Sequence, residues 1–238
     1  MMKLKALISA LALSFAAPFA AAASFGDTFD SGLSGWTALG DVAIVDGAVA
    51  LTTASASFED DIGLALNLSG NEALAAGIPD GLEHGLGLSP GALDGDVLSQ
   101  ATEGSALVRT FSVSAGDRLS FDWMLSTLDT ASSGFGLDFA FVVIDGVRID
   151  LAAATSASLP GSGPYATTTG WKSFEYVFAS GGQIKLGIGI TDVADYAISS
   201  RLDIDNFAIT AVPEPESYAM FVAGLGLIGA LARSRRRV

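Results

Sequence analysis

Cysteine is absent from this chain and histidine occurs once, at His84. The first absence excludes a disulfide framework, a thiol nucleophile and thiolate metal sites, so packing must hold the fold. The second excludes multi-histidine zinc sites, and a Ser-His-Asp triad would have to be built on His84. That residue sits in Gly81-Leu82-Glu83-His84-Gly85, a glycine-rich stretch with no G-x-S-x-G elbow beside it, and it reads as a solvated loop residue.

Basic residues are also scarce. There are 12 Lys and Arg against 26 Asp and Glu, and Lys3, Lys5, Arg233, Arg235, Arg236 and Arg237 lie at the two ends. Between Ser24 and Ala211 only Arg109, Arg118, Arg148, Lys172, Lys185 and Arg201 remain against 24 carboxylates, a formal charge near −18. Such a field repels nucleic acid and anionic lipid and favours cations or neutral ligands. Plain solubility of a secreted surface accounts for it equally.

What is present begins with the ends. Lys3 and Lys5 precede an apolar stretch from Ala6 to Phe19 and then Ala20-Ala21-Ala22-Ala23. A charged region, an apolar core and a small-residue cleavage site make residues 1–23 a secretory signal peptide, cut between Ala23 and Ser24, with Ala21 and Ala23 as the small residues that set the cut. At the other end, Tyr218 to Ala232 carries no charge. As a helix it would reach about 22 Å at ~1.5 Å per residue, short of the ~30 Å hydrocarbon core unless snorkelling arginines and local thinning close the gap. The arginines after it should stay cytoplasmic. Gly224, Gly226 and Gly229 leave one side small enough for another helix to approach.

Pro213-Glu214-Pro215, the short glycine-rich apolar helix over 218–232 and the cluster Arg233, Arg235, Arg236 and Arg237 stand in that order within residues 212–238. Together they resemble the PEP-CTERM sorting tail of Gram-negative bacteria. The resemblance implies recognition by an exosortase, a membrane protease-transpeptidase that would cut near the Pro-Glu-Pro and remove the helix. It also implies export across the inner membrane, transient anchoring by the C-terminal helix, a final place at the cell surface or outside the cell, and an association with bacteria that make exopolysaccharide.

The 24–211 domain is long enough to bury one full core. Val42–Val45 and Ala48–Leu51 flank Asp46-Gly47, and Phe139–Ile144 and Val147–Leu151 flank Asp145-Gly146, a strong hairpin signal because both turn positions need positive φ. Leu119, Phe121, Trp123 and Leu125 alternate with Ser120, Asp122, Met124 and Ser126, which predicts a strand with one buried face. Phe174, Tyr176 and Phe178 alternate likewise, as do Ile184, Leu186, Ile188 and Ile190 around Gly187 and Gly189. The run Phe139–Ile144 is apolar on both faces, as a central strand should be. No internal repeat appears. The expected fold is all-β, an antiparallel jelly-roll-like β-sandwich between the signal peptide and a transmembrane sorting helix.

Phe25-Gly26-Asp27-Thr28-Phe29-Asp30-Ser31-Gly32, followed by Gly35-Trp36 and paired with the closing Leu202-Asp203-Ile204-Asp205-Asn206-Phe207, resembles the edges of jelly-roll carbohydrate-binding modules. That resemblance implies neighbouring first and last strands and a structural calcium ion held by Asp27, Asp30 and Asp205, with Asp203 as a further candidate; carbonyls and water would complete a shell of six to eight oxygens. The alternative is that these are turn carboxylates on an acidic surface. Asp203 and Asp205 would share a face with Phe207 and Ile209 in an ideal strand, so a bulge or strand end is expected near Asn206. Trp36 has a core reading.

Two long segments lack strand patterning. Ser69–Glu103 offers at most one helical turn, at Asn71–Ala76, and its leucines at 82, 86, 88 and 93 suggest a lid packed over the sandwich. Ala152–Gly170 is rich in Ser, Thr, Gly and Pro. For sugar stacking the candidates are Tyr165, Trp171 and Tyr196, each of which has a core reading too. Glycoside hydrolysis needs two carboxylates, and Asp122 and Glu175 lie on polar strand faces, yet nothing singles out a pair. The expected function is therefore that of an exported, non-catalytic surface or matrix protein binding exopolysaccharide. The alternatives are a secreted polysaccharide hydrolase and a structural matrix protein without a ligand.

Overall fold

A computed structural model describes residues 24–57, 64–95, 99–129, 137–212, 222–229 and 233. The expected leader with Ala21 and Ala23, the Pro213-Glu214-Pro215 motif, and Arg235, Arg236 and Arg237 lie outside these residues. Residues 222–229 are helical and exposed. Among the described residues no helix is long and apolar enough to cross a membrane. Ser24–Ala211 form a compact unit by themselves.

That unit contains the strands β1 (Phe25–Asp27), β2 (Thr37–Leu39), β3 (Val42–Val45), β4 (Ala48–Thr52), β5 (Leu74–Ala75), β6 (Ala101–Val113), β7 (Arg118–Thr127), β8 (Phe139–Ile144), β9 (Val147–Ala153), β10 (Leu159–Pro160), β11 (Thr167–Thr168), β12 (Lys172–Val177), β13 (Gly182–Val193) and β14 (Ser200–Thr210). One helix, α1 (Leu82–Leu86), falls between β5 and β6. In the first sheet the order is β10-β11-β7-β14-β4-β3, with β12 also on β7 and β1 on β14. The second runs β2-β6-β13-β8-β9, with β5 also on β6. Every pairing is antiparallel. The first and last strands are neighbours, Phe25 facing Ile209.

The two Asp-Gly hairpins form as the sequence predicts. Asp46 and Gly47 take φ of 53° and 86°, and Asp145 and Gly146 take 48° and 76°, the doubly positive pair that matches the twist of the flanking strands. Between the sheets, Leu119, Phe121, Trp123 and Leu125 of β7 meet Leu186, Ile188 and Ile190 of β13 and Ala140, Val142 and Ile144 of β8 in one core. The other face of β8 is buried too, through Phe141 and Val143.

Along β14 the inward residues are Leu202 and Ile204, then Phe207 and Ile209. Such a change of phase requires an extra residue. The register with β7 shifts between Asp205 and Ala208, and Asn206 there adopts φ 52°, a left-handed conformation that Asn tolerates better than most residues. Phe207 is thereby aimed into an aromatic cluster, with ring centroids 4.9 Å from Trp36 and 5.4 Å from Phe111. Trp36 is thus a core residue, and the Arg109 guanidinium lies 4.3 Å from the Phe25 ring at the cluster's edge.

Within the Ser69–Glu103 segment, residues 82–93 form the expected lid, while 101–103 already belong to β6. Leu82, Leu86, Leu88 and Leu93 pack on Ala106, Val108, Phe141 and Val143, covering the outer face of the second sheet. The helical turn is not at Asn71–Ala76: Leu74 and Ala75 pair with Gly104 and Glu103 as an edge strand, because β2 covers the β6 edge only at Ala106–Val108 and leaves backbone groups beyond it to be satisfied. Helix forms at Leu82–Leu86 instead, closed by Gly87 at φ 79°. His84 is on this helix, solvent-exposed, with Nδ1 3.6 Å from Asp80.

Candidate functional site

Phe174 stacks on Phe121 at 5.0 Å and Tyr176 packs on the core, so Ser173 and Glu175 of β12 face outward. On the neighbouring strand the same alternation turns Asp122 outward between Phe121 and Trp123. There it accepts hydrogen bonds from Ser173 Oγ at 2.6 Å and Asn206 Nδ2 at 3.0 Å. The bulge that aims Phe207 inward is what brings the Asn206 amide to Asp122. A polar row thus crosses three strands of the first sheet, β12, β7 and β14. Trp171, just before β12 and two residues ahead of Ser173 in the sequence, is 52% exposed.

Of the three rings expected to stack on sugar, Trp171 and Tyr196 are exposed and Tyr165 is not. Tyr165 is buried against Ala54 and Leu66 with Leu128 alongside, because the segment before β11 folds back under the β4–β5 connection. Trp171 lies between β11 and β12, and Tyr196 between β13 and β14. Among the described residues no ring contact joins them. Glu175 pairs with Arg118 at 2.8 Å and Asp122 is bridged as above, so each is held by its neighbours.

The four carboxylates implied as calcium ligands are placed separately. Asp27 Oδ1 accepts the Phe29 N–H at 2.9 Å and its Oδ2 accepts the Trp36 indole N–H at 3.0 Å. Asp30 accepts from Thr28 Oγ1 at 2.7 Å. Asp203 is buried against the Arg201 guanidinium, 2.5 Å away, and Asp205 accepts the Asn206 N–H at 2.6 Å. Two N–H donors on Asp27 and a guanidinium on Asp203 are poor company for a cation. Among the described residues no three Asp, Glu, His or Cys side chains gather at metal-binding spacing.

Other carboxylates are buried. Glu83 of α1 takes the Gly91 N–H at 2.8 Å and the Leu93 N–H at 2.7 Å, folding the second half of the lid over the helix. Asp41 takes the Leu68 and Ser69 N–H groups at 2.9 and 2.7 Å, and the hydroxyls of Thr52 and Ser69. Both are fixed by donors on neighbouring backbone, a structural use of charge.

Asp138 and Asp192 are different. Thr191 faces Phe139 across the β13–β8 ladder, so the next residues, Asp192 and Asp138, meet at the end of the second sheet, Asp192 on a bulge opposite β6. Both are 2% exposed. Burial pushes both carboxyls up, Asp138 to about 8 and Asp192 further; Asp138, Asp195 and Glu103 add to the rise of Asp192, Asp129 and Asp195 add to that of Asp138, and the two side chains hydrogen-bond each other while Ser200 donates to Asp138. The sequence signal was thin: an acidic residue at the end of each of two apolar strands, brought together only by register.

A comparison with curated proteins returns no significant match. Among solved structures, the chain is similar to a family 61 carbohydrate-binding module in complex with β-1,4-galactotriose, at 14% identity and TM-score 0.39, covering 78% of this chain and 94% of that one. It is also similar to the K3 adhesin domain of Lys-gingipain from Porphyromonas gingivalis, at 13% identity and TM-score 0.36, covering 79% and 100%. A third is a CBM22 xylan-binding domain from Paenibacillus barcinonensis, at 12% identity and TM-score 0.29, covering 81% and 97%. At the C-terminus, residues 211–237 match the profile of the PEP-CTERM protein-sorting motif, which makes the chain a carrier of that sorting signal.

Proposed function

We propose that this protein is exported, sorted by an exosortase through its C-terminal motif, and displayed or released at the cell surface as a non-catalytic module that binds exopolysaccharide. The sorting part rests on the match over residues 211–237. The binding part rests on one observation: Trp171, two residues before Ser173 in the sequence, presents a half-exposed indole on the connection that leads into β12, the strand that carries Ser173 of the Ser173–Asp122–Asn206 row. Aromatic rings supply apolar stacking area, and a carboxylate flanked by a hydroxyl and an amide offers both acceptors and donors to sugar hydroxyls. The strongly acidic domain favours neutral over anionic polysaccharide. Catalysis is no part of the proposal, since Asp122 and Glu175 are engaged by Ser173, Asn206 and Arg118.

The test is retention of residues 24–211 on a glycan array and on immobilised exopolysaccharide. Retention that falls at least tenfold in Trp171→Ala, with melting temperature unchanged, is the expected result. Retention equal in wild type and variant would remove Trp171 from the site, and no retention at all would leave a structural matrix protein. For the sorting part, residues 212–238 fused to a reporter should be cleaved in an exosortase-bearing host and left intact when the exosortase is deleted.

A further inference from the structure

The edges of the two sheets are not equally protected. A strand with one paired neighbour leaves a row of N–H and C=O groups open to another chain, and proteins blunt such edges by shortness, charge, proline or bulges. Among the described residues the edge strands β1, β2, β3, β5 and β10 have four residues or fewer. The longer β9 is bent by a register shift against β8, and the Arg148–Asp150 pair at 2.9 Å stands along it. β12 has none of these devices. Its six residues, Lys172-Ser173-Phe174-Glu175-Tyr176-Val177, pair with β7 in unbroken register, contain no proline or glycine and carry one charge of each sign. Among the described residues no strand pairs with its other side. Both faces of this edge are incompletely covered: Trp171 and Val177 are each 52% exposed, and the core-facing Phe174 and Tyr176 are only partly buried.

We propose that β12 is a dimerisation edge, to which a second copy of this chain adds its own β12, antiparallel, about a two-fold axis at Phe174. A two-fold pairing that keeps core-facing residues beside core-facing residues must be centred on a residue rather than between two. Centring on Glu175 sets that carboxylate against its own copy. Centring on Ser173 turns Trp171 onto Glu175 and leaves Val177 outside the pairing. Centring on Phe174 places Trp171 opposite Val177 of the second copy, Lys172 opposite Tyr176, Ser173 opposite Glu175 and Phe174 opposite itself. No like charges meet, and every half-exposed apolar side chain of the edge gains cover, twice over by symmetry. This self-match, beyond the open edge alone, selects a second copy as the partner. The acidity of the domain opposes association, so the contact rests on backbone pairing and apolar cover. Being isologous, it stops at two chains. Where Trp171 stacks on sugar, as proposed above, the dimer carries two such rings about 20 Å apart along the strand direction, at ~3.4 Å per residue, and grips a long chain at two points.

Residues 24–211, which close their own core, are followed by analytical ultracentrifugation without sugar, in about 0.15 M salt to screen their charge, from about 1 μM to about 1 mM protein. The weight-average mass is expected to rise from one chain toward two and no further. Val177→Glu, at an exposed position, should weaken the dimer by about tenfold or more with the melting temperature unchanged, since it removes apolar cover and adds repulsion. Val147→Glu adds the same charge at an exposed position of β9 and should leave the dimer intact. The chain has no cysteine, so single introduced thiols report the register. Under mild oxidation, Ser173→Cys mixed with Glu175→Cys should form disulfide-linked dimers faster than either variant alone. A chain that stays monomeric at every concentration, association beyond two chains, or equal weakening by the two glutamate variants would each overturn the inference. Cross-linking no faster in the mixture would overturn it as well.

Discussion

Leu86 of the lid helix rests on the bare backbone of Gly187: a Cβ at Gly187 would collide with Leu86 Cδ2. Gly189, two residues on and on the same face, lies under Phe141, whose Cζ would be 2.7 Å from an added Cβ. Two glycines in the middle of β13 weaken a strand locally, but here they provide the groove into which α1 and the Phe141 ring settle.

Gly187→Ala should therefore destabilise the domain by about 1–3 kcal/mol, the usual cost of overpacking a filled interior. Leu86 is 1% exposed and packed among the lid leucines and the outer face of the second sheet. Urea denaturation checks this. A loss below about 0.5 kcal/mol would show that the lid shifts without resistance.

Glu83 holds the other side of the same lid. Glu83→Ala leaves the Gly91 and Leu93 N–H groups without their acceptor, at about 1–3 kcal/mol for each buried donor that water cannot reach. Glu83→Gln should restore part of this, since its amide keeps one oxygen. Hydrogen exchange should show residues 87–95 losing protection in the alanine variant while β7 and β14 keep theirs. Uniform loss across the sandwich would mean that the lid and core unfold as one.

Asp27 separates a capping role from a metal role. Its two oxygens serve the Phe29 N–H and the Trp36 indole, so Asp27→Ala should cost about 1–3 kcal/mol by orphaning the indole donor. The cost should be the same with calcium and with chelator. A calcium-dependent difference would reinstate Asp27 as a ligand.

Features that depend on local chemistry or on one strand's periodicity were legible in the sequence. The Asp-Gly turns, the inward alternation of β7 and the bulge at Asn206 each follow from a few consecutive residues. The lid was legible as well, because leucines in a stretch without strand patterning must cover something. Legibility ended where distant segments meet. Asp138 and Asp192 become neighbours only through the β8–β13 register, and no short window contains that information. Tyr165 sits in a polar, turn-rich segment where a stacking and a core reading both stand until Ala54 and Leu66 are brought onto it. Residues 71–76 have helical composition, yet the part of the β6 edge that β2 leaves uncovered draws Leu74 and Ala75 into a sheet. Of the outer face, Trp171 was identifiable as a residue type, whereas the bridging of Asp122 by Asn206 required the bulge and the pairing together.

Asp203 gives the fold a pH dependence of known sign. Burial raises its carboxyl above the ordinary 3.8, Arg201 opposes the rise and Asp46 adds to it. Between the ordinary value and the raised one, the folded state therefore binds more protons at this group than the unfolded chain does. The resulting stability is complete below the ordinary carboxyl range and is lost as pH climbs through the raised folded value. Asp203→Asn removes this group, and the variant's melting temperature should fall less steeply than the wild type's as pH rises from about 4. Arg201 loses its partner in the variant, so the absolute melting temperatures will differ and the slope is the readout. Melting curves collected at half-unit steps decide it: parallel profiles would mean that Arg201 fully offsets the burial of Asp203, and a steeper variant would reverse the sign.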